Sequence, residues 1–196
     1  MAQIEHDEDL MLQVRQGSAE GLGVLFDRYH SPLFNFYAKL TGDRAVSEDL
    51  VQEVFLRVLK YRQSYTPRAP FRAWVYQIAR NVRLDHLRKN PANAEWKPEM
   101  SPSFVPADAP QKEQETLLLH RALMRLPEEK REILVLGRLQ ELKYEEIANL
   151  LGCEVGAVKV RIHRALQELK RVYRELQSEQ AARGNVREIP RQGASQ

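Results

Sequence analysis

The sequence predicts an all-α protein of two small helical domains joined by a Pro-rich extended linker. Three observations carry this. Apolar residues recur at three- and four-residue spacing, and no stretch alternates with the period of two that a half-buried strand requires. The segment Asn90–Pro110, NPANAEWKPEMSPSFVPADAP, holds five of the ten prolines, which block helical hydrogen bonding and drive the preceding residue out of the α region. A length of 196 residues suits one ordinary domain or two small ones. The expected organisation is a helical domain over 1–90, a linker over 91–112, a second helical domain over 113–176 and a flexible tail over 177–196.

In the first block, AEGLGVLFDRYHSPLFNFYAKL has helical periodicity, with Pro32 marking a break or bend. Next comes SEDLVQEVFLRVLKY, with Ser47 as the expected N-cap and Glu48 and Asp49 matching the helix dipole. Its Leu50, Val51, Val54, Phe55 and Val58 recur at core spacing. After the loop RQSYTPRAP, the helix FRAWVYQIARNVRLDHLRK is expected to bury Trp74, Val75, Ile78, Val82 and Leu87.

The second block opens with TLLLHRALMRL. Pro127 then suits the first position of a helix, with Glu128 and Glu129 in its first turn. YEEIANLLG is a short helix stopped by Gly152, and another helix begins three residues later. Two helices joined by a tight Gly-containing turn make a helix-turn-helix. At 100° per residue, Val158, Ile162, Ala165, Leu166, Leu169 and Val172 fall on one side of the second helix. Gly156, Lys159, Val160, His163, Arg164 and Gln167 fall on the other. Donors, an apolar spot and small residues (Gly156, Ala157) suit a major groove, where cations reach guanine and Val160 meets a thymine methyl. Lys170, Arg171 and Arg174 extend the basic surface toward phosphates. A solvated amphipathic helix is the plain alternative, and the preceding helix with Gly152 at this spacing argues against it.

Charge is unevenly spread beneath a net +3. Residues 1–53 hold four basic and ten acidic residues, whereas 54–90 hold nine basic residues and the single acid Asp85. The pattern points to a polyanion-binding surface beside one that meets something else. On helix 47–61, Asp49, Gln52, Glu53, Leu56 and Lys60 share one face, and a leucine among polar residues there looks like a protein contact. Loop 61–70 and the next helix mix Tyr61, Tyr65, Phe71, Trp74 and Tyr76 with Arg57, Arg62, Arg68, Arg72 and Arg80. Stacking platforms beside a positive track hold single-stranded nucleic acid, and Asn81 offers hydrogen bonds to an extruded base.

No catalytic residue, metal site or cofactor is expected. The one cysteine, Cys153, and the five histidines lack metal-ligand spacing, and no Gly-rich phosphate loop is present. One cysteine fits a reducing cytoplasm, no apolar run is long enough for membrane insertion, and the acidic start is no secretory signal. Two rivals remain: a response-regulator output domain, which the stripe and the aromatic loop disfavour, and a small nuclease, which lacks carboxylates to hold Mg²⁺ near the basic face.

Over about residues 8–175 the chain resembles bacterial RNA polymerase sigma factors of the sigma-70 family, extracytoplasmic-function (ECF) type. EDLVQEVFLRVLK resembles the region 2 helix that docks on core polymerase, FRAWVYQIARNVRLDHLRK the −10 recognition helix, and LPEEKREILVLGRLQELKYEEIANLLGCEVGAVKVRIHRALQELK region 4. The resemblance implies a region 2 helical bundle and a region 4 helix-turn-helix in a cytoplasmic bacterial initiation factor. Its partners would be core RNA polymerase (clamp helices and flap), double-stranded promoter DNA and the single-stranded non-template −10 strand, with an anti-sigma factor as regulator. Asp49, Gln52, Glu53 and Leu56 would face polymerase. Arg57, Tyr61, Gln63, Tyr65, Trp74, Arg80 and Asn81 would contact −10 DNA. Gly156, Ala157, Lys159, Val160, Arg161, His163 and Arg164 would face the −35 groove. Two departures stand out: Lys143 precedes YEEIA where a serine is common, and Glu154–Val158 lacks the family's usual threonine. They make a −35 sequence borrowed from a relative unsafe.

Overall fold

Small side-chain acceptors cap two helices of the first half, Ser18 at one and Asp43 at the next. The computed structural model describes residues 6–90, 111–140 and 142–186. Helix α1 spans Asp7–Arg15. Ser18 caps α2 (Ala19–Thr41) by accepting from the Gly21 amide at 3.1 Å, and Gly42 closes that helix in the left-handed conformation at φ 72°. Pro32 does not break α2 as expected. The turns beyond it bury Leu33, Phe36, Tyr37 and Leu40 completely or nearly so, which outweighs the hydrogen bond that proline removes.

Helix α3 runs Arg44–Tyr61, three residues ahead of the expected start. Its N-cap is Asp43, whose carboxylate accepts from the Val46 amide at 3.1 Å. Ser47 is buried one turn inside and donates to the Asp43 carbonyl. Helix α4 (Phe71–Lys89) has Pro70 at its N-cap, which contributes no side-chain acceptor. Glu8 of α1 fills that role by accepting from the Phe71 amide at 3.0 Å, a carboxylate at the positive end of the helix. Tyr37 donates to the Ala79 carbonyl at 2.8 Å and ties α2 to α4.

In the second half, α5 (Gln111–Met124) begins inside the expected linker, and residues 91–110 lie outside the described region. Pro127 is the N-cap of α6 (Glu128–Leu134) rather than its first residue. Helix α6 widens into a π-helical turn, Val135–Leu139. Gly137 lets this turn pack closely: a Cβ there would lie 2.9 Å from Ile162 and 3.3 Å from Ile147. Helix α7 (Tyr144–Leu151) and α8 (Val155–Val186) follow. The tail expected to fray after Gln177 instead continues α8 to Val186, with Glu179 ion-paired to Arg125 at 3.3 Å. Buried apolar residues of both halves form one contiguous cluster.

Candidate nucleic-acid interface

Helix α7 starts without a side-chain acceptor at Lys143; instead Glu146 accepts from the Lys143 amide at 2.7 Å. Gly152 takes the left-handed conformation (φ 60°, ψ 43°) and turns the chain into α8. Val158, Ile162, Ala165 and Val172 are buried, which fixes the rotation of α8 and turns the opposite face outward. On that face Gly156, Lys159, Val160, Arg161, His163 and Arg164 are exposed and Ala157 is half-buried. Val160 is 49% exposed. Lys159, Arg161, His163 and Arg164 make no ion pair among the described residues, so their donors are available to a ligand. The basic surface does not continue through Arg171, whose guanidinium binds Glu168 at 2.9 Å and Glu175 at 2.5 Å. The hydrogen bond from Arg171 holds the Glu168 carboxyl below its usual range.

On α3, Asp49 and Gln52 are exposed, Leu56 is 62% exposed and Glu53 is half-buried. Leu59 of the same helix is exposed, as is Phe26 of α2, whose ring lies 4.8 Å from that of Phe55. Sequence periodicity missed Phe26 and Leu59 because an exposed apolar residue is common and each was read alone. Exposed apolar side chains on a helix that also carries exposed Asp49 suit a protein partner.

Between α3 and α4 a 360 Å³ pocket is lined by Arg57, Tyr61, Asn81, Asp85 and Arg88, among others. Tyr61 is 45% exposed and Asn81 is exposed, accepting from Gln77 at 3.3 Å. An aromatic face, an amide and cations in one concavity are what an unpaired base requires. Arg57 is not the free cation expected from the sequence: it binds Glu53 and Asp85, each at 2.7 Å. Its hydrogen bond holds the Asp85 carboxyl below the usual carboxylate range. Arg88, overlooked in the sequence, is the more exposed cation here, with 78% of its side chain accessible.

The structure does not bring Gln63, Tyr65, Trp74 or Arg80 into this pocket. Tyr65 is a correction: it is fully buried rather than a stacking platform. The turn Arg62–Ser64 tucks its ring against Trp74 at 5.2 Å and Phe71 at 6.0 Å, with its hydroxyl donating to the Ala69 carbonyl at 3.3 Å. Burial pushes that hydroxyl up to about 12. Trp74 is half-buried by the same rings. Gln63 is exposed but donates to the Arg15 carbonyl at 2.9 Å. Arg80 points across to the second half, where it pairs with Glu132 at 3.2 Å.

Comparison with known proteins matches residues 25–92 to sigma-70 region 2 and residues 116–169 to sigma-70 region 4. The RNA polymerase sigma factor CarQ of Myxococcus xanthus is 31% identical over 173 residues, covering 87% of this chain and 99% of CarQ. The ECF RNA polymerase sigma factor RpoE of Cereibacter sphaeroides is 32% identical over 167 residues, covering 82% of this chain and 91% of RpoE. CnrH, solved in complex with the cytosolic domain of CnrY, shares the fold at TM-score 0.67 and 24% identity, over 86% of this chain and 97% of that one. So does RpoE from Bartonella quintana, solved with the anti-sigma factor NepR, at TM-score 0.65 and 22% identity, over 78% and 96%. Two helical units, matched over most of the chain by such relatives, define a transcription initiation factor. The chain belongs to the ECF-type sigma factors of the sigma-70 family, which direct RNA polymerase in promoter-specific initiation. None of its helices among the described residues is long and apolar enough to cross a membrane.

Proposed function

We propose that the chain directs core RNA polymerase to its promoters by reading two DNA elements with separate surfaces. The α3 face of Asp49, Gln52, Glu53 and Leu56, widened by Phe26 and Leu59, docks on the polymerase. The outward face of α8 enters the −35 major groove, with Lys159, Arg161, His163 and Arg164 as donors and Val160 as the apolar contact. The pocket of Tyr61 and Asn81 takes a base of the non-template −10 strand. Stacking there contributes roughly 1–3 kcal/mol per base against the cost of melting. The chain supplies binding and positioning, and the polymerase supplies the bond chemistry. An anti-sigma factor is the proposed inhibitor, as the complexes of CnrH and the Bartonella RpoE suggest.

The observation that carries this reading is the α8 surface: four cationic or titratable donors without ion pairs among the described residues, locked outward by a buried opposite face. The test is in vitro transcription with purified core polymerase on a genomic fragment library. Discrete transcripts that require the chain, with permanganate-reactive thymines near −10, are expected. A core enzyme that gains no initiation on any fragment overturns it.

A further inference from the structure

Helix α4 begins without an acceptor of its own. Pro70 at its N-cap has no side-chain oxygen to offer, no acid lies in its first turn, and its second residue is the cation Arg72. Phe71 has no exposed surface, so water is a poor partner for its amide. Glu8, 63 residues earlier in the chain, accepts from that amide at 3.0 Å. A buried donor left unpaired is penalised more than an ordinary hydrogen bond gains. This one bond therefore ties the start of α4 firmly to α1.

The other end of loop 62–70 is tied to the same helix. Gln63, just beyond Tyr61, donates to the Arg15 carbonyl at 2.9 Å, one of the acceptors that a helix C-terminus leaves over. Between the two ties Tyr65 is buried against Phe71 and Trp74. Helix α1 is itself anchored: Leu10, Met11 and Val14 are at most 1% exposed, and Asp7 holds Arg28 and Tyr29 of α2 at 2.6 and 2.5 Å. The loop is stapled at both ends to one well-packed helix.

The staple bears on the pocket between α3 and α4. Tyr61 is the last residue of α3, Asn81 lies on α4, and both line that pocket. The strut from Arg57 to Asp85 joins the two helices one turn before Tyr61. The exposed Tyr61 ring stands past the strut, where α3 gives way to the loop. The path of the loop therefore sets the position of this ring relative to the Asn81 amide.

Resting on the reading under Proposed function, in which Tyr61 and Asn81 take a −10 base, we infer that Glu8 is a positioning residue for base capture: by holding the start of α4 to α1 it closes the staple that keeps loop 62–70, and with it the Tyr61 ring, in register with Asn81. Glu8 touches no DNA in this role and acts through the Phe71 amide. It serves as a hydrogen-bond acceptor, so a neutral acceptor of the same length suffices.

Three full-length variants test this. Glu8→Gln keeps the acceptor and Glu8→Ala removes it. Glu8→Ala/Pro70→Asp returns a cap to α4 at its own N-cap, where it serves the amides of Arg72 or Ala73, and leaves the tie to α1 open. Hydrogen exchange on the free chain is expected to be about ten-fold faster over residues 62–70 in Glu8→Ala and in the double variant, and unchanged in Glu8→Gln. Holoenzyme is then titrated with single-stranded non-template oligonucleotide from a promoter recovered by the library transcription. Glu8→Ala is expected to lose about ten-fold in affinity, the worth of one stacked base, and Glu8→Gln to stay within about two-fold of wild type. The double variant is expected to regain the thermal midpoint but not the affinity, and all four proteins to bind core polymerase equally. Wild-type affinity in Glu8→Ala overturns the proposal. So does full affinity in the double variant, which makes Glu8 a plain helix cap and carries the comparison should Glu8→Ala fail to fold. Wild-type chain that never initiates with core polymerase counts against the sigma-factor mechanism instead. Exchange over 62–70 then decides the staple, and unchanged rates overturn it.

Discussion

Arg57 and Asp85 join α3 to α4 beside Asn81, Nη1 to Oδ2 at 2.7 Å, while the other edge of the same guanidinium holds Glu53. A cation that a sequence reading assigns to DNA is thus a strut between the two helices that form the pocket. Asp85→Asn frees one edge of Arg57 and gives the pocket an uncompensated charge. Holoenzyme carrying it is expected to bind single-stranded −10 oligonucleotide more tightly, with the log–log salt slope steeper by about 0.7. Fluorescence anisotropy across a salt series measures this, and an unchanged slope speaks against a phosphate near the pocket.

Leu56 stands 62% exposed among polar neighbours. Leu56→Asp is expected to leave the thermal midpoint within error, since little core is lost, and to weaken core-polymerase binding by ten-fold or more, as for a residue at the centre of an interface. Competition against a labelled sigma factor for core enzyme reads the second effect. Full affinity removes Leu56 from the docking surface.

Tyr65 separates packing from nucleic-acid contact. Its ring is enclosed by Phe71 and Trp74 and its hydroxyl makes one hydrogen bond. Tyr65→Ala is expected to cost about 3–5 kcal/mol in denaturant unfolding, and Tyr65→Phe about 1 kcal/mol. Promoter melting by the Phe variant should match wild type. A melting defect without a stability defect would return Tyr65 to the DNA surface.

Arg164 is exposed on the outward face of α8 and makes no ion pair among the described residues. Arg164→Ala is expected to lose roughly 1–3 kcal/mol on the best duplex selected from a random pool. The loss on a scrambled duplex should be smaller. Equal losses on both would reduce Arg164 to a phosphate contact.

His120 of α5 hydrogen-bonds the Ala38 backbone of α2, and its Nδ1 is buried without a partner among the described residues. Burial first, then the charges of Lys39 and Arg131, lowers its pKa below the ordinary 6.5. The folded chain therefore stays neutral there while the unfolded chain takes up a proton. This part of the stability is complete above pH 6.5 and is lost as the pH falls below it. His120→Gln is expected to flatten the acid limb of stability between about pH 6.5 and pH 5 relative to wild type. Parallel curves in urea titrations would show that His120 is protonated in the fold.

The elements whose signal is local were legible in the sequence. Gly152 and the apolar spacing of Val158, Ile162 and Ala165 determine a turn and a helix rotation without outside help, and the structure has both. Helix ends decided by competing acceptors were not legible: Asp43 and Ser47 are both good caps, and the choice follows from Ser47 being drawn into the core. Tyr65, on a loop, was misread because its packing partners come from the next helix. Nothing near Tyr65 in the sequence announces the pocket formed by Phe71 and Trp74. The links of Arg80, Arg83 and Arg131 to the opposite half lie 45–91 residues away along the chain, beyond the reach of any periodicity.

Helix α8 is a single rod of 32 residues, about 48 Å at 1.5 Å per residue, whereas a major groove is only about 12 Å wide. In the proposed docking its first turns seat in DNA and its last turns stand well clear. A protein that grips the far end therefore has a long lever arm, so that a small tilt there is enough to swing Lys159 and Arg164 out of register with a base edge. On that docking, repression would not require a single DNA-contacting side chain to be covered.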